Sequence, residues 1–129
     1  MKPRVLVVDD DPQFRELVRG WLEADAIEVH EAGGAQEALA RVEATPPDLL
    51  CLDLMLPELG GFEVCERIRR IPSLARLPIL VVSARDLPAD RALAEELGAS
   101  AYLIKPVAAT AFLEQVRALL AHRAATRAL

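Results

Sequence analysis

Short runs of consecutive apolar residues alternate along the chain with longer amphipathic segments. The strong runs cover residues 5–8, 49–52 and 79–82, and weaker runs cover 27–29 and 101–104. Runs of this length predict strands, and the amphipathic segments between them predict helices. The strong runs do not alternate apolar with polar residues, so both faces of those strands must be covered. The pattern therefore predicts a doubly wound α/β fold with a five-stranded parallel sheet.

The helical spacing of apolar residues and the positions of prolines predict where the helices begin and end. The first begins near Pro12, a residue favoured in a first turn, and its apolar residues, Trp21 among them, are expected to pack against the sheet. Three others are predicted at residues 35–44, 61–71 and 109–122. A thinner helix at 89–97 has few large apolar residues, so we expect it to be held less firmly and to be mobile.

Composition favours one globular domain. A chain of 129 residues can bury a core without a disulfide or a structural metal. We expect that domain to cover residues 1–122, with 123–129 a frayed helix end or the start of a linker, because no capping signal follows. No uncharged run approaches the length of a membrane span, and acidic residues interrupt the N-terminal apolar run before a signal peptide could be complete. A cytoplasmic location is the expectation.

Charge and side-chain chemistry exclude several functions. A net charge of −5 and a pI near 5.0 argue against direct contact with nucleic acid by this domain. Cys51 and Cys65 lack the paired spacing of a zinc or redox site, and we interpret both as small buried hydrophobes. His30 and His122 are interpreted as surface or edge residues. P-loop, GxGxxG and GxSxG motifs are absent from the sequence.

Acidic residues follow two of the strongest strands. Asp9, Asp10 and Asp11 come after the first, and Asp53 comes after the third. Because the carboxyl ends of parallel strands meet at one edge of a sheet, these carboxylates are expected to converge and to need a cation. Oxygen ligands favour Mg²⁺, or Mn²⁺, over zinc. Asp53 alone can be a metal ligand, a phosphate-accepting nucleophile or a turn cap.

Two further polar residues follow the last two strands. Lys105 stands out because nearly all other cationic residues are arginine, and its compact ammonium suits a phosphoryl oxygen or a carboxylate cluster. Pro106 allows the bond after Lys105 to be cis at modest cost. Ser83 ends the fourth strand, where alone it would be a turn residue more often than a ligand.

In this order and at these strand ends, the residues make the chain resemble a response-regulator receiver domain of two-component signalling, with a flavodoxin-like (βα)5 fold. The supporting strings are residues 6–12 (LVVDDDP), 53–57 (DLMLP), 61–63 (GFE), 81–84 (VVSA) and 98–106 (GASAYLIKP). The resemblance covers residues 4 to about 120. Each string is weak alone, but the ordered set is highly specific.

The resemblance implies a phosphorylated switch, not an enzyme acting on a free metabolite. Asp53 would accept a phosphoryl group from the phosphohistidine of a histidine kinase or phosphotransfer protein. Asp9, Asp10 and the backbone carbonyl of Met55 would join Asp53 in holding Mg²⁺, while Ser83 and Lys105 would contact the transferred oxygens. Phosphoryl transfer needs positioning and charge neutralisation above all, which agrees with these residue types. Asp11 would cap the first helix.

The resemblance also implies a conformational response. Ser83 would turn toward the phosphoryl group and Tyr102 would move inward, which reshapes the face formed by helix four, strand five and helix five. Without the resemblance, Tyr102 can equally be a half-buried aromatic with a wet hydroxyl. Met55 and Arg85 occupy positions that tune phosphoryl loss, and neither is an acid or amide, so a lifetime longer than seconds is expected.

One departure from the family pattern lies in the loop after Asp53. Many relatives carry an acidic or amide residue before the glycine that Gly61 matches, whereas this chain has Gly60 there. This difference leaves the site residues intact and is expected to loosen the loop.

Two other interpretations stay open. Asp9-x-Asp11 resembles the DxD motif of haloacid-dehalogenase-like phosphatases, in which Asp9 would be the nucleophile, but Glu114 is the only acid beyond Lys105 and is in a helix. The chain could also be a receiver-like interaction module that works without phosphate. The sequence names neither the kinase nor the downstream protein or fused output domain, nor does it decide whether phosphorylation drives homodimer formation.

Overall fold

The computed structural model describes residues 2–127. Five strands, β1 to β5 in chain order, cover Arg4–Val8, Glu28–Ala32, Leu49–Leu52, Ile79–Ser83 and Ala101–Ile104. Five helices, α1 to α5, cover Pro12–Ala24, Ala35–Ala44, Gly60–Arg70, Pro88–Glu96 and Ala109–Arg127, and one 3-10 turn covers Pro72–Leu74. Within the described part of the chain, no helix combines the length and apolar character that crossing a membrane requires.

All five strands lie in one parallel sheet in the order β2-β1-β3-β4-β5. This arrangement confirms the predicted doubly wound fold. The strand order reverses between β1 and β3, where Val8 pairs in register with Leu52. The residues that follow these two strands, Asp9 and Asp53, therefore lie side by side at the carboxyl edge, beside the switch point where ligands bind in such sheets.

Two apolar layers cover the sheet, one on each face. Alternate strand residues such as Val7 and Val82 pack with Phe112 of α5 on one face, while Val8 and Val81 pack with helices α2 and α3 on the other. This two-sided burial explains why the strong strands show no polar alternation. The prediction that Trp21 is a packing residue is confirmed, since its ring lies 5.7 Å from that of Phe112.

The predicted helix positions agree with the structure except at the C-terminal end. Helix α5 continues to Arg127 and does not stop at the predicted residue 122. Asp48, which precedes β3, accepts a hydrogen bond from Arg127 at 3.2 Å. This long-range ion pair anchors the last turn, and the local sequence carries no signal for it. The expected domain boundary after residue 122 therefore falls inside a helix, and the boundary itself stays a prediction.

Helix α4 has little contact with the core. Ala94 is its only buried residue, and Leu93 is 41% exposed. Leu87, at the cap position before the helix, is 62% exposed and provides no side-chain cap. These observations agree with the expected weak attachment of this helix, whose mobility stays a prediction.

Candidate functional site at the carboxyl edge of the sheet

Two carboxylates and one ammonium group meet where β1, β3 and β5 end. The Nζ atom of Lys105 donates to Asp9 Oδ2 at 2.7 Å and to Asp53 Oδ2 at 3.1 Å. Asp9 is 1% exposed and Asp53 is 6% exposed. Because burying unpaired carboxylates is costly, the lysine makes this arrangement stable by balancing part of their charge. The structure thus brings together three of the residues that the strand ends singled out.

Backbone amides hold the second oxygen of each carboxylate. Asp9 Oδ1 accepts from the Asp11 amide at 2.9 Å, and Asp53 Oδ1 accepts from the Met55 amide at 3.0 Å. Arg15 donates from Nη1 to the Asp9 carbonyl at 2.6 Å. Each carboxylate is therefore fixed in orientation from two sides, a form of preorganisation that charge-stabilising sites require.

Burial and charge act in opposite directions on this cluster. Burial raises the pKa of Asp9, and the hydrogen bonds from Lys105 and the Asp11 amide only partly offset this effect. The nearby Asp53 charge raises the Asp9 pKa further. Burial alone would lower the pKa of Lys105, but its hydrogen bonds to Asp9 and Asp53 outweigh that effect and raise it. The lysine therefore stays charged. One ammonium group does not fully balance two buried carboxylates, so further positive charge would stabilise them.

The ring of Phe14 lies under the lysine, with the Nζ atom of Lys105 4.2 Å from the ring centroid. This cation–π contact restricts where the ammonium group can sit. The sequence placed Phe14 only among the apolar residues of the first helix. Its role at the site could not be read from the spacing, because the contact joins α1 to the loop after β5.

The acidic groups at this edge fit a hard divalent cation. One oxygen from each of Asp9, Asp10 and Asp53 lies within 4.8 Å of the other two. Asp10 is exposed, unlike its two partners, so the group opens to solvent on one side. Oxygen-only donors with room for water match the preference of Mg²⁺. The predicted part of the Met55 carbonyl in this site stays a prediction.

Ser83 lies at the same edge of the sheet, but its hydroxyl contacts the loop that follows β4. It is fully buried, and its Oγ accepts from the Arg85 amide at 3.3 Å. Its carbonyl accepts from the Lys105 amide at 2.9 Å, which ties the two strand ends together. Ser83 is therefore close in the fold to Lys105, while its predicted contact with a phosphoryl group stays a prediction.

Tyr102 is buried, not half exposed. It is 5% exposed, and its hydroxyl donates to the Arg85 carbonyl at 2.6 Å. The guanidinium of Arg91 lies 5.6 Å from the ring centroid and donates to the Tyr102 carbonyl at 3.2 Å. Burial, and then the charge of Asp90, raises the pKa of Tyr102. Tyr102 is therefore buried and not half-buried, and its hydroxyl has an acceptor within the protein, while its predicted movement on activation stays a prediction.

The two positions expected to tune phosphoryl loss differ in their surroundings. Met55 is 53% exposed beside Asp53. Arg85 donates to Asp90 Oδ1 at 2.9 Å and lies 5.7 Å from the centroid of the Phe62 ring. Neither side chain presents a carboxylate or amide to the site.

Other sequence assignments can be checked directly. Asp11 caps α1 by accepting from the Gln13 amide at 2.9 Å, as expected. Both cysteines are buried and free, and burial raises the pKa of the Cys65 thiol to about 11. His30 contacts Glu28 on β2, away from the acidic cluster. The bond between Lys105 and Pro106 is cis.

Gly61 is a site-supporting residue that sequence reasoning noted only as a family match. A Cβ placed on it would lie 2.5 Å from the Asp53 carbonyl oxygen and 2.5 Å from the Leu54 Cα. The start of α3 therefore packs directly on the backbone that carries Asp53, and only glycine fits. The two adjacent glycines were the available signal.

The fold and this cluster define the class of protein: a doubly wound α/β domain that gathers carboxylates and a lysine at the carboxyl edge of its sheet. A family model described as the response regulator receiver domain matches residues 5–117. The chain belongs to the response regulator receiver domain family, which confirms the resemblance seen in the sequence.

Relatives and solved structures agree with this assignment. The phosphate regulon transcriptional regulatory protein PhoB of Rhizobium meliloti (strain 1021) is 38% identical over 93% of this chain and 53% of its own length. The DNA-binding dual master transcriptional regulator RpaA of Synechocystis sp. (strain ATCC 27184 / PCC 6803 / Kazusa) is 40% identical over 92% of this chain and 49% of its own length. The chain thus spans about half the length of these curated relatives.

Two crystal structures show the same fold over nearly the whole chain. A CheY-like response regulator receiver domain protein from Methanospirillum hungatei JF-1 has a TM-score of 0.92 and 27% identity, covering 98% of this chain and 99% of its own. The chemotaxis response regulator CheY4 of Vibrio cholerae has a TM-score of 0.88 and 27% identity, covering 92% of this chain and 99% of its own.

Proposed function

We propose that this domain is a phosphorylated signalling switch in which Asp53 accepts a phosphoryl group. The observation that carries the proposal is the contact of Lys105 with both Asp53 and Asp9 at the carboxyl edge of the sheet. The donor would be the phosphohistidine of a histidine kinase or of a phosphotransfer protein. A carboxylate oxygen of Asp53 would form a bond to phosphorus as the bond from phosphorus to the histidine nitrogen breaks.

The other site residues would position and neutralise charge. Lys105 already holds its ammonium group at 3.1 Å from Asp53, so it can contact a phosphoryl oxygen with little rearrangement. Asp9, Asp10, Asp53 and the Met55 carbonyl would hold Mg²⁺. Bound there, Mg²⁺ would offset the negative charge that the carboxylate and the phosphoryl group bring together. Asp10 is the exposed member of the group and would remain accessible to solvent.

The switch would run from Ser83 to the face formed by α4, β5 and α5. Ser83 must exchange its contact with the Arg85 amide for one with the phosphoryl group. That exchange acts on the segment whose carbonyl, at Arg85, accepts the Tyr102 hydroxyl. Helix α4 has one buried residue, fewer than α5, and unlike β5 it is not hydrogen-bonded into the sheet, so it should be the most easily displaced element of this face.

The partners follow from the proposal and from the relatives. PhoB and RpaA are named as transcriptional regulators, and each is about twice as long as this chain. We infer that this domain signals to a downstream protein or to a fused output domain. With a net charge of −5, this domain is not expected to contact nucleic acid itself. The cytoplasmic location stays a prediction.

The proposal is tested by measuring the intact mass of the protein after incubation with acetyl phosphate and Mg²⁺. The wild type should gain one phosphoryl group, and Asp53→Asn and a sample with chelated metal should gain none. Asp86→Asn serves as the matched control, because Asp86 is an exposed acid in the loop after β4. Absence of label in the wild type, when a known receiver domain is labelled in parallel, would favour the phosphate-independent interaction module.

A further inference from the structure

A basic cleft lies at the opposite edge of the sheet from Asp53. It has a volume of about 660 Å³, within the range of small-molecule sites. Pro78 and Ser100, the residues just before β4 and β5, form one side, and the last turns of α5 form the other. Neither the proposed switch nor the family match gives this cleft a role.

Cationic side chains from separate elements converge on this cleft. They are the arginines Arg69, Arg76, Arg123 and Arg127, and the imidazole of His122 lies among them. No acidic residue is among the side chains that line it within the described part of the chain. In a protein whose net charge is −5, such a grouping is a local reversal of sign. Arg69 is already occupied by the Gly98 carbonyl and Arg127 by the Asp48 carboxylate, so Arg76 and Arg123 are the main candidates for contact with a ligand.

Helix α5 builds the basic side of the cleft with one stripe of residues. Leu119, His122, Arg123 and Thr126 follow the spacing that places residues on one helical face. This face exists because α5 continues to Arg127, five residues beyond the end that the sequence predicted. The stripe contains an apolar residue beside the basic and polar ones. The cleft can therefore contact an uncharged part of a ligand as well as its anionic group.

Arg123 is largely buried but only weakly paired. Its Nε atom is buried and has no hydrogen-bond acceptor within residues 2–127, and it lies 4.0 Å from Asp48 Oδ1. Its one hydrogen bond to another described residue, from Nη1 to the Arg76 carbonyl, is 3.4 Å long. Burial and the neighbouring Arg127 lower the pKa of Arg123, while Asp48 acts against them. The buried Nε atom is out of reach of a ligand, so an anion would be bound through the terminal nitrogens of Arg123, whose one hydrogen bond within residues 2–127 is the long contact with the Arg76 carbonyl.

We propose that this cleft binds a small phosphate-bearing anion. Guanidinium groups suit phosphate because their donors form paired, charge-assisted hydrogen bonds. Donors that approach from three elements match a tetrahedral phosphate better than a planar carboxylate. The Ser100 hydroxyl accepts from the Ile79 amide at 3.1 Å and keeps its own proton to donate.

The test uses the 129-residue chain with EDTA present, so that metal-assisted binding at Asp53 does not contribute. Inorganic pyrophosphate and citrate are titrated at matched ionic strength, and binding is followed by calorimetry and by amide chemical shifts. Pyrophosphate should bind more tightly than citrate, and the largest shifts should lie at Ser100 and in the last turns of α5. Shifts centred on Asp53 and Lys105, or equal binding of citrate, would overturn the proposal.

Three variants separate this site from general charge effects. Arg123→Gln and Arg76→Gln should each weaken pyrophosphate binding by roughly tenfold, as expected for the loss of one charge-assisted hydrogen bond. Arg76 is exposed, so its variant should fold normally even if Arg123→Gln does not. Arg117→Gln removes the same charge from α5 at an exposed pair with Asp25 and should change affinity less than twofold. Equal weakening by Arg117→Gln would contradict a specific site.

Discussion

Lys105 is the residue on which the electrostatics of the carboxyl edge depend, because it contacts both buried carboxylates. Lys105→Met should leave Asp9 and Asp53 facing each other without a cation, and should lower the free energy of unfolding by about 1–3 kcal/mol in EDTA. Urea denaturation at pH 7 measures this difference. Lys2→Met, which removes the only other lysine, is the control and should have little effect. Equal stability of wild type and Lys105→Met would show that the contacts carry no net stabilisation.

The lifetime of the phosphorylated state is set, in this proposal, by side chains next to Asp53. Met55 is exposed beside it, and Arg85 is held by Asp90 and Phe62. Neither can accept a proton from water or orient it as an acid or amide would, so the phosphorylated form should outlast several seconds. Decay of radiolabel in Mg²⁺ buffer measures the lifetime, and Met55→Asn should shorten it. Loss of label from the wild type within a few seconds would contradict the interpretation.

At the scale of elements, the close contact of α3 with the end of β3 makes Gly61 a sensitive position. Gly61→Ala places a methyl group 2.5 Å from the Asp53 carbonyl oxygen, so backbone must shift, at a cost of about 1–3 kcal/mol. Because that backbone carries the phosphoacceptor, labelling by acetyl phosphate should also slow. Gly20→Ala is the control within α1, where a Cβ meets nothing within 4 Å. It should stabilise the protein by about 0.5–1 kcal/mol. Thermal unfolding of both variants measures the difference. Equal stability of the two variants would contradict this packing effect.

The elements also differ in how far the sequence could predict them. Helix α2 at Ala35–Ala44 agrees with its predicted bounds, because prolines after Thr45 end it locally. Strand β2 was expected at residues 27–29 but covers Glu28–Ala32. It is an edge strand paired only with β1, and His30 and Glu31 are only partly buried there, so these polar residues interrupt its apolar pattern. The last turn of α5 pairs with Asp48, which is distant in sequence, and no local pattern can reveal this contact.

In the site, too, some features follow from the sequence and others depend on contacts between elements. The sequence alone predicts the proximity of Asp9, Asp53 and Lys105, because the ends of parallel strands share one edge of the sheet. The contact of Phe14 with Lys105 and the packing of Gly61 on Asp53 depend on distances between elements. The position of Tyr102 likewise depends on a hydrogen bond to a carbonyl in another loop.

At the scale of the whole molecule, stability should respond to pH through Glu31, which joins β2 to α1. It accepts from Arg19 at 2.7 Å and from Arg15 at 2.9 Å. Burial acts to raise the pKa of Glu31, but these hydrogen bonds outweigh it and lower the pKa below its ordinary value. The contribution is therefore present above the pKa of the unfolded chain and is lost as pH falls through the lower folded value.

Glu31→Gln should lower the free energy of unfolding by about 0.5–1 kcal/mol at pH 7. The difference from wild type should shrink as pH falls through the lowered pKa of Glu31, where the carboxylate becomes protonated. Urea denaturation across this range measures it, with Glu16→Gln, an exposed position on α1, as the control. A difference that does not change with pH would mean that Glu31 stabilises the protein by packing and not by charge.

The most direct test of the switch is to identify the residue that carries the phosphoryl group. After incubation with acetyl phosphate and Mg²⁺, borohydride reduction converts an aspartyl phosphate to homoserine, which peptide mass spectrometry can locate. The proposed function predicts homoserine at Asp53 and none at Asp9 or Asp10. Homoserine at Asp9 would instead indicate the phosphatase-like interpretation, and the assignment of Asp53 as phosphoacceptor would be wrong.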